Sequence, residues 1–488
     1  MPFHYSEVML NRIQQDPGVP VDNPTRAAWQ DPPHPLAAHQ SPKLPEKVDV
    51  LVIGSGITAC SLVRNLLAIH EGTEKPTIAV LEARTLCSGA TGRNGGHLRD
   101  TPSLYFSDLV DRYGAEKATK MLRFRASQIP ELLKVAQEEG LADFELREVE
   151  GVDIICEQEK WEITKEELDQ FDRIAPVDIA RPKIWGAADA RDEFGIPKAL
   201  GAVTYPAATH STYKLITGLW QKLLERYPTT LYIETLTPAI KISVLNNSET
   251  TEGRLQVLTP RGRIETTAVV HCTNSHVGHL VSGLRGKVFP VREQMTEQHF
   301  KISPKDSLRS TAFLWRKGFD YFIHRPDTPE RQGAILLGGA LSQSGDDGFD
   351  EFGVPSDADR GLFIAAYLRG LLPTMYDPAR ETKLVSSWTG IMGWSADLMP
   401  WVGRIPASLT GRDVSGGSKG GISPVLNGEW LCAGYSGEGM THAWGCGRAL
   451  AAMMLGKGTA VKKWFPEEYG ITEKRAEEAD VRKLKELY

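Results

Sequence analysis

VDVLVIGSGITACSLVRNLLAIHEGTEKPTIAVLE, residues 48–82, is the stretch on which the reading of the fold turns. Its pattern predicts strand, tight turn, helix, loop and second strand. Val48, Val50, Leu51, Val52 and Ile53 form a short apolar run of the kind buried on both faces of a parallel sheet. Gly54 lets the chain turn, Gly56 lets the backbone approach a pyrophosphate, and Ala59 is the small residue that lets helix pack on strand. The helix expected over 57–69 aims free N–H groups and a partial positive charge at that phosphate. Residues 77–81 supply the second strand, and Glu82 at its end can accept hydrogen bonds from ribose hydroxyls. A glycine triplet alone is a weak signal; the strand before it, the helix after it and the acid closing the next strand give it meaning. The acid follows Gly54 at more than the usual ~20 residues, and the polar loop EGTEKPT absorbs the excess. The competing reading is a glycine-rich turn without a ligand.

Directly after this unit comes ARTLCSGATGRNGGHLRD, residues 83–100. Gly89, Gly92, Gly95 and Gly96 expose backbone donors, and Thr91, Arg93, Asn94, His97 and Arg99 add polar side chains. In that position the loop is expected to wrap the ligand; otherwise it is a surface loop. Upstream, residues 1–47 carry Pro17, Pro20, Pro24, Pro32, Pro33, Pro35, Pro42 and Pro45, which rule out regular helix and central strand and leave an extended arm.

Further on, apolar residues recur at helical spacing over 106–140, with Gly140 as a stop, and again near 160–174 and over 212–227. Residues 151–156, 231–233, 255–258 and 268–272 read as strands, the last running into the polar HCTNSH, where open α/β sheets present ligand groups. From 287 to 339 the segments FPVREQMTEQHF, TAFLWRKGFDYFIHRP and GAILLGGA read as antiparallel strands, suggesting a second sheet over which a substrate sits. Residues 361–372 are helical in pattern, 387–403 are aromatic and turn-rich, and 430–455 read as strand, glycine-rich turn and helix.

The 488 residues are 41% hydrophobic and 24% charged, an ordinary globular composition for two or three domains. A net charge of −6 leaves no basic footprint for nucleic acid. Six scattered cysteines show no CxxC spacing, so neither a disulfide framework nor a zinc site is expected, and a reducing compartment fits. MPFHYSEVML lacks a signal-peptide pattern, no apolar run is long enough to span a bilayer, and KELY is not a peroxisomal address. A cytoplasmic location, no membrane association and no metal are the expectations. The sequon Asn246-Asn247-Ser248 reads as a polar loop. Oligomeric state is not legible.

Taken together the motifs resemble the D-amino-acid oxidase (DAO) superfamily of FAD-dependent oxidoreductases, nearest to its glycine oxidase, sarcosine oxidase and γ-glutamylputrescine oxidase branch. The resemblance runs along nearly the whole chain. NPTRAAWQDPPHPL ahead of LPEKVDVLVIGSGITA resembles the arms of this branch, and EARTLCSGATGRNGGH its second FAD motif. TLTPAI and VVHCTNSHVGHL resemble later FAD segments, SADLMPWVG the D-x-x-P-x-x-G motif, and AGYSGEGMTHAWGCGRALA the C-terminal flavin motif. The resemblance implies an α/β fold: a Rossmann-like FAD-binding domain, joined to a substrate domain built on an antiparallel sheet. The implied layout is an arm over 1–47, an FAD domain from 48–99, 230–286 and 387–457, a substrate domain from 100–229 and 287–386, and a tail over 458–488.

Carried across residue by residue, the resemblance gives Gly54, Gly56 and Ala59 the pyrophosphate and Glu82 the ribose. Asn94, Gly95, Gly96, His97 and Leu98 line flavin and pyrophosphate; Ala239 meets adenine; Thr273 and Asn274 lie near the pyrophosphate. Gly437, Glu438, Gly439, Met440 and Thr441 cradle the pyrimidine edge of the flavin, with a helix over 439–455 directing its N-terminus at negative charge there. Glu438 opposes that charge and is expected to turn away or bind a donor. Two features depart from the pattern. The Lys that holds substrate carboxylate in monomeric sarcosine oxidases is replaced by Thr441, followed by His442, and no Cys stands in 388–400 to carry the flavin. FAD is therefore expected to be non-covalent, with His97 the candidate for any histidine linkage.

The implied activity is oxidation of a C–N bond in a small amine or amino acid by hydride transfer to flavin. Such chemistry asks the protein for orientation and electrostatics more than for an acid or base. Arg99 is a candidate carboxylate clamp or else a surface or phosphate-pairing arginine. Arg292 reads as a strand-end salt bridge. Tyr321, Trp388 and Trp394 are candidates for an aromatic wall or for core, and His210, His271, His276 and His442 for polar contacts or structural histidines. A nicotinamide-dependent dehydrogenase, and a flavin-binding protein without turnover, are the alternatives.

Overall fold

The computed structural model describes residues 6–70, 75–100, 102–141, 144–245, 254–303, 305–329, 331–414 and 426–486. The sequon at 246–248 and most of the polar loop 71–77 lie outside them. Among the described residues the chain builds two sheets, one of eight strands and one of nine, in an α/β fold.

The first sheet grows from the opening stretch. Lys47–Ile53 pairs in parallel with Ile78–Leu81 on one side and Gly262–His271 on the other. Leu231–Glu234 extends it in parallel beyond the first, and Gly428–Ala433 beyond the second, followed by an antiparallel edge, Trp401–Arg404. An antiparallel pair, Lys241–Leu245 and Arg254–Thr259, continues off Gly262–His271. Val50, Leu51 and Val52 are fully buried, as a strand covered on both faces requires. Helix Ile57–Ile69 packs on this sheet beside helix Ala443–Met454. The two approach so closely that a Cβ on Gly447 would stand 2.6 Å from the Thr58 carbonyl oxygen.

The second sheet runs in the order Lys383–Ser395, Val288–His299, Ala334–Gly339, Phe319–His324, Arg309–Leu314, Arg147–Ile155, Gly201–Thr209, His97–Arg99, with Lys183–Gly186 on the side of Gly201–Thr209. Its pairs are antiparallel except Arg309–Leu314 with Arg147–Ile155, which is parallel. Helix Leu362–Met375 covers one face, closing a core of Phe313, Phe322, Ile335, Leu337 and Leu368. Two segments join the sheets: His97–Arg99 follows the glycine-rich loop of the first unit, and Lys383–Ser395 leads back to Trp401–Arg404.

Three sequence expectations are corrected by local geometry. The helical run over 106–140 is three helices, Pro102–Tyr113, Ala115–Ala126 and Gln128–Glu138, broken at Gly114, whose φ is +80°, and at Ser127. The segment 387–403, read as turn-rich, belongs mostly to the strand Lys383–Ser395, paired along Val288–His299. The C-terminal helix starts at Ala443, four residues after the expected Gly439, because Gly439–Thr441 forms a separate 3-10 turn.

A buried ion cluster ties the first sheet to its flank. Glu429 accepts from Arg412 Nε at 2.6 Å and Nη2 at 2.7 Å and lies 2.8 Å from His271 Nε2. Burial raises its carboxyl, but the hydrogen bonds and charges of Arg412 and His271 outweigh that and hold it at about 2, against an ordinary 4.5. A folded pKa below the unfolded one contributes stability above pH 4.5, and this is lost as pH falls through 4.5 toward 2. The difference corresponds to about 3 kcal/mol. Glu429→Gln is therefore expected to flatten the acid limb of a stability–pH profile between pH 4.5 and 2. An acid limb as steep as that of the parent removes Glu429 from it.

Candidate active site

One cleft lies where the two sheets meet. Its empty space, mouth included, is about 1690 Å³. At one end stand the first strand and its turn, Ile53–Thr58, with Leu81–Arg84, Ala239 and Cys272–His276. Cys87, Gly89–Thr91, Arg93 and Asn94 form a side, and Gly437, Gly439, Met440 and Ala443 another. The second sheet closes it with Glu293 and Met295, Tyr321, and Gly390–Gly393. The arm contributes Gly18, Val19 and Pro20.

The turn is built to leave backbone bare. Gly54 has φ +107°, and a Cβ there would lie 2.5 Å from the Cys272 carbonyl oxygen, so only glycine fits. Glu82 locks the same turn: one oxygen accepts from the Ser55 hydroxyl at 2.6 Å and the Ser55 N–H at 3.2 Å, the other from the Arg84 N–H at 3.0 Å. Thr91 accepts from the first helical N–H, of Ile57, at 3.1 Å. Asn274 sits at φ +45° and accepts from the Gly434 N–H at 3.0 Å, tying together the ends of two adjacent strands.

Arg84 and Arg93 share Asp357. Arg84 Nη1 is 2.9 Å from Asp357 Oδ1 and Arg93 Nε 3.2 Å from Oδ2, all three side chains being nearly sealed from solvent. Burial pulls Arg93 down to about 10, Asp357 opposing that and Arg84 adding to it. Arg93 also donates to the Thr25 carbonyl and hydroxyl and to the Thr389 carbonyl.

Of the residues singled out from sequence, Gly54, Gly56, Glu82, Asn94, Ala239, Thr273, Asn274, Tyr321, Gly437, Gly439 and Met440 line this one cleft. Ala59 is buried in the helix behind it. Gly95 supports the wall, since a Cβ there would stand 2.6 Å from the Tyr321 ring. Gly96 lies against Trp29 and the His210 carbonyl, and Leu98 is buried. His97 bonds Ser310 Oγ through Nδ1 at 2.6 Å and meets the Tyr321 ring edge-on at 4.9 Å. Glu438 turns to a donor, Arg125 Nη2 at 3.3 Å, which Asp100 also holds; Thr441 bonds back to the Glu438 carbonyl at 3.1 Å.

Most of the candidates for substrate contact stand off the cleft wall, Tyr321 and His276 being on it. Arg99 is ion-paired with buried Asp153, which also accepts from Tyr205 at 3.0 Å, so the carboxylate expected for this guanidinium is the protein's own. His442 is buried, with Nδ1 2.8 Å from the Glu438 carbonyl oxygen and Nε2 3.2 Å from the Tyr469 hydroxyl, and burial drops it to about 3. Trp394 packs against Phe352 in a separate core, and Trp388 is fully buried, donating to the Arg93 carbonyl at 2.9 Å. Arg292 pairs with Glu351 at 2.6 Å, the salt bridge expected of it. Sequence reading missed Glu293, Met295, Asp357 and the arm residues 18–20 as cleft groups. For Glu293 a signal existed: it shares a strand face with Val291 and Met295, an acid between apolar neighbours.

Residues 49–453 match the DAO family of FAD dependent oxidoreductases, and the chain belongs to that family. FAD is its cofactor, which sets the nicotinamide reading aside. A probable oxidoreductase, OrdL of Rhizobium meliloti (strain 1021), is 22% identical over 459 residues, spanning 88% of this chain and 91% of that one. Among solved structures, glycine oxidase from Geobacillus kaustophilus superposes with a TM-score of 0.62 at 18% identity, covering 88% of this chain and 99% of its own. L-proline dehydrogenase from P. horikoshii gives 0.65 at 18%, covering 90% and 100%. These likenesses bear on fold.

The cleft also fits the cofactor on its own chemistry. Thr273 Oγ1, His276 Nδ1 and His279 Nε2 are buried polar atoms that meet no partner among the described residues, and all three residues line the cleft. Unpaired buried polar atoms are costly, and a ligand rich in hydroxyl and phosphate oxygens would satisfy them. No helix among the described residues is long and apolar enough to cross a membrane, and no group of His, Cys, Asp and Glu there is placed to hold a metal.

Proposed function

We propose that this chain oxidises the C–N bond of a small amine or amino acid to an imine, with re-oxidation by O2 to give H2O2. The observation that supports this most is the cleft, whose lining includes both a nucleotide-type turn and the wall of Glu293, Met295 and Tyr321. FAD, when bound, would supply the hydride acceptor and the onward route for the electrons. The residues supply position and field. Gly54, Gly56 and Glu82, with Thr273 and Asn274, would hold the pyrophosphate and ribose, and Ala239 the adenine. Asn94 and Gly437–Met440 border the flavin, and Tyr321 fixes the substrate wall. FAD is non-covalent in this reading. His97 Nδ1 is engaged by Ser310, and burial keeps the ring neutral.

The test is an anaerobic screen of amines and amino acids on the purified flavoprotein, watching bleaching of the flavin, followed by admission of air. Bleaching by an amine with return of colour and H2O2 is expected. A flavin that no amine bleaches means a flavin-binding protein without turnover.

The Arg99–Asp153 pair makes its own prediction. Arg99→Ala leaves Asp153, fully buried, without its cation. A loss of about 3–5 kcal/mol in unfolding free energy is expected. Undiminished stability, with a raised KM for carboxylated substrates alone, would instead make Arg99 the carboxylate clamp.

A further inference from the structure

Glu293 stands on the cleft wall contributed by the second sheet, where it pairs with Gly390. Its Oε2 accepts from the Tyr321 hydroxyl at 3.0 Å, and no ion pair to it exists among the described residues. Tyr321 is itself held in place. Its ring lies on Gly95 and under Gly338, where a Cβ on either would collide with it, and His97 meets it edge-on. The nearby cations are committed elsewhere: Arg292 to Glu351, Arg99 to Asp153, Arg325 to Glu145, and Arg84 and Arg93, the arginines lining the cleft, to Asp357. Asp320, the neighbouring acid, is occupied by the Trp315 indole, the Tyr367 hydroxyl and the Ala340 N–H. Among the described residues this wall thus presents an anchored carboxylate, and both arginines lining the cleft are paired with an acid.

A buried carboxylate keeps its charge only with a donor or a cation. Burial above all, with Asp320 adding and the Tyr321 hydroxyl opposing, pushes Glu293 up to about 7, a state that an arriving cation would reverse. An ammonium reaching this wall finds a charge-assisted acceptor and an aromatic ring beside it. A carboxylate arriving there meets repulsion.

We propose that Glu293 is the substrate-recognition anion of this cleft. It accepts a hydrogen bond from a protonated nitrogen of the substrate, held by Tyr321, and so selects cationic amines over substrates bound through a carboxylate. This rests on the amine-oxidising reading and names its substrate class. Glu293 acts in binding; the hydride leaves a carbon whose own nitrogen is neutral, so the protonated nitrogen is a second one.

The test separates the two readings by using ligands that cannot be oxidised. tert-Butylammonium and pivalate share a tert-butyl group and carry opposite charges, and the ammonium has no hydrogen on the carbon bearing nitrogen. Each is titrated into the FAD-loaded protein by calorimetry, with the flavin spectrum as a second readout. The expected result is at least tenfold tighter binding of tert-butylammonium than of pivalate. In Glu293→Gln, equal in shape and lacking the charge, that preference is expected to vanish while flavin content is kept. Glu293→Asp is expected to restore part of it. In kinetics, the ratio of kcat/KM for 1,4-diaminobutane to that for butylamine is expected to fall at least tenfold in Glu293→Gln. Tighter binding of pivalate, or a cation preference that survives in Glu293→Gln with the flavin bound, overturns the proposal. Selective ammonium binding with no amine able to bleach the flavin would uphold the recognition and sink the catalytic reading.

Discussion

Gly56→Val is expected to fold and to purify colourless. Gly56 has φ −71° and ψ −174°, extended backbone that valine adopts readily, so the cost is not one of conformation. It is one of space. A Cβ at this position would lie 2.8 Å from Thr91 Oγ1, the atom that accepts the Ile57 N–H at the start of the helix. A branched side chain must push Thr91 aside or fill the cleft at the turn, where we propose that the pyrophosphate binds. A loss of at least a hundredfold in FAD affinity, about 3 kcal/mol, is expected. The checks are flavin absorbance after purification and circular dichroism for the fold. A yellow, fully loaded Gly56→Val protein would show that the turn does not hold the cofactor.

Asp357→Ala is expected to cost about 3–5 kcal/mol of stability, because it strands two buried guanidiniums side by side. Arg84 and Arg93 both depend on this one carboxylate, and Arg93 is already drawn down to about 10 by burial. The Asp357 carbonyl, which accepts from the Thr25 N–H at 2.8 Å and hydroxyl at 2.9 Å, survives the change, so the loss reports on the charge. Urea unfolding of the FAD-loaded protein measures it. Asp357→Asn, which keeps the shape, is expected to lie between the parent and Asp357→Ala. A midpoint within error of the parent in both would show that the two arginines are satisfied without Asp357.

What the residues disclosed in advance follows from how local their physics is. The unit 48–82 is legible because strand, turn and helix each carry a short-range signal and the signals agree. The C-terminal helix packs against the helix of the first unit, but it starts later than its glycines suggest: the Glu438 carbonyl takes the Thr441 hydroxyl and His442 ring, and a 3-10 turn intervenes. The strand Lys383–Ser395 was obscured because glycines and tryptophans resemble turn chemistry until a partner strand is present. Asp357 was invisible for another reason. Nothing near it in sequence announces two arginines that lie more than 260 positions earlier. Arg99 shows the converse: a cation in a ligand motif invites a ligand, yet the protein already supplies Asp153.

The arm that walls the cleft has a consequence for how the molecule is made. Thr25 bonds Asp357 and Thr389, Trp29 donates to the Asn94 carbonyl at 2.6 Å, and Gln30 to the carbonyls of Ser88 and Gly92. Its partners therefore leave the ribosome in two instalments. Those of Trp29 and Gln30 emerge almost at once, whereas Asp357 and Thr389 follow 332 and 364 residues after Thr25. At about 5–20 residues per second the first-made segment waits on the order of 20–70 s for the last of its contacts. Through that interval its later contacts are unmade, so the pocket stays unroofed on the arm's side until Asp357 and Thr389 have been made.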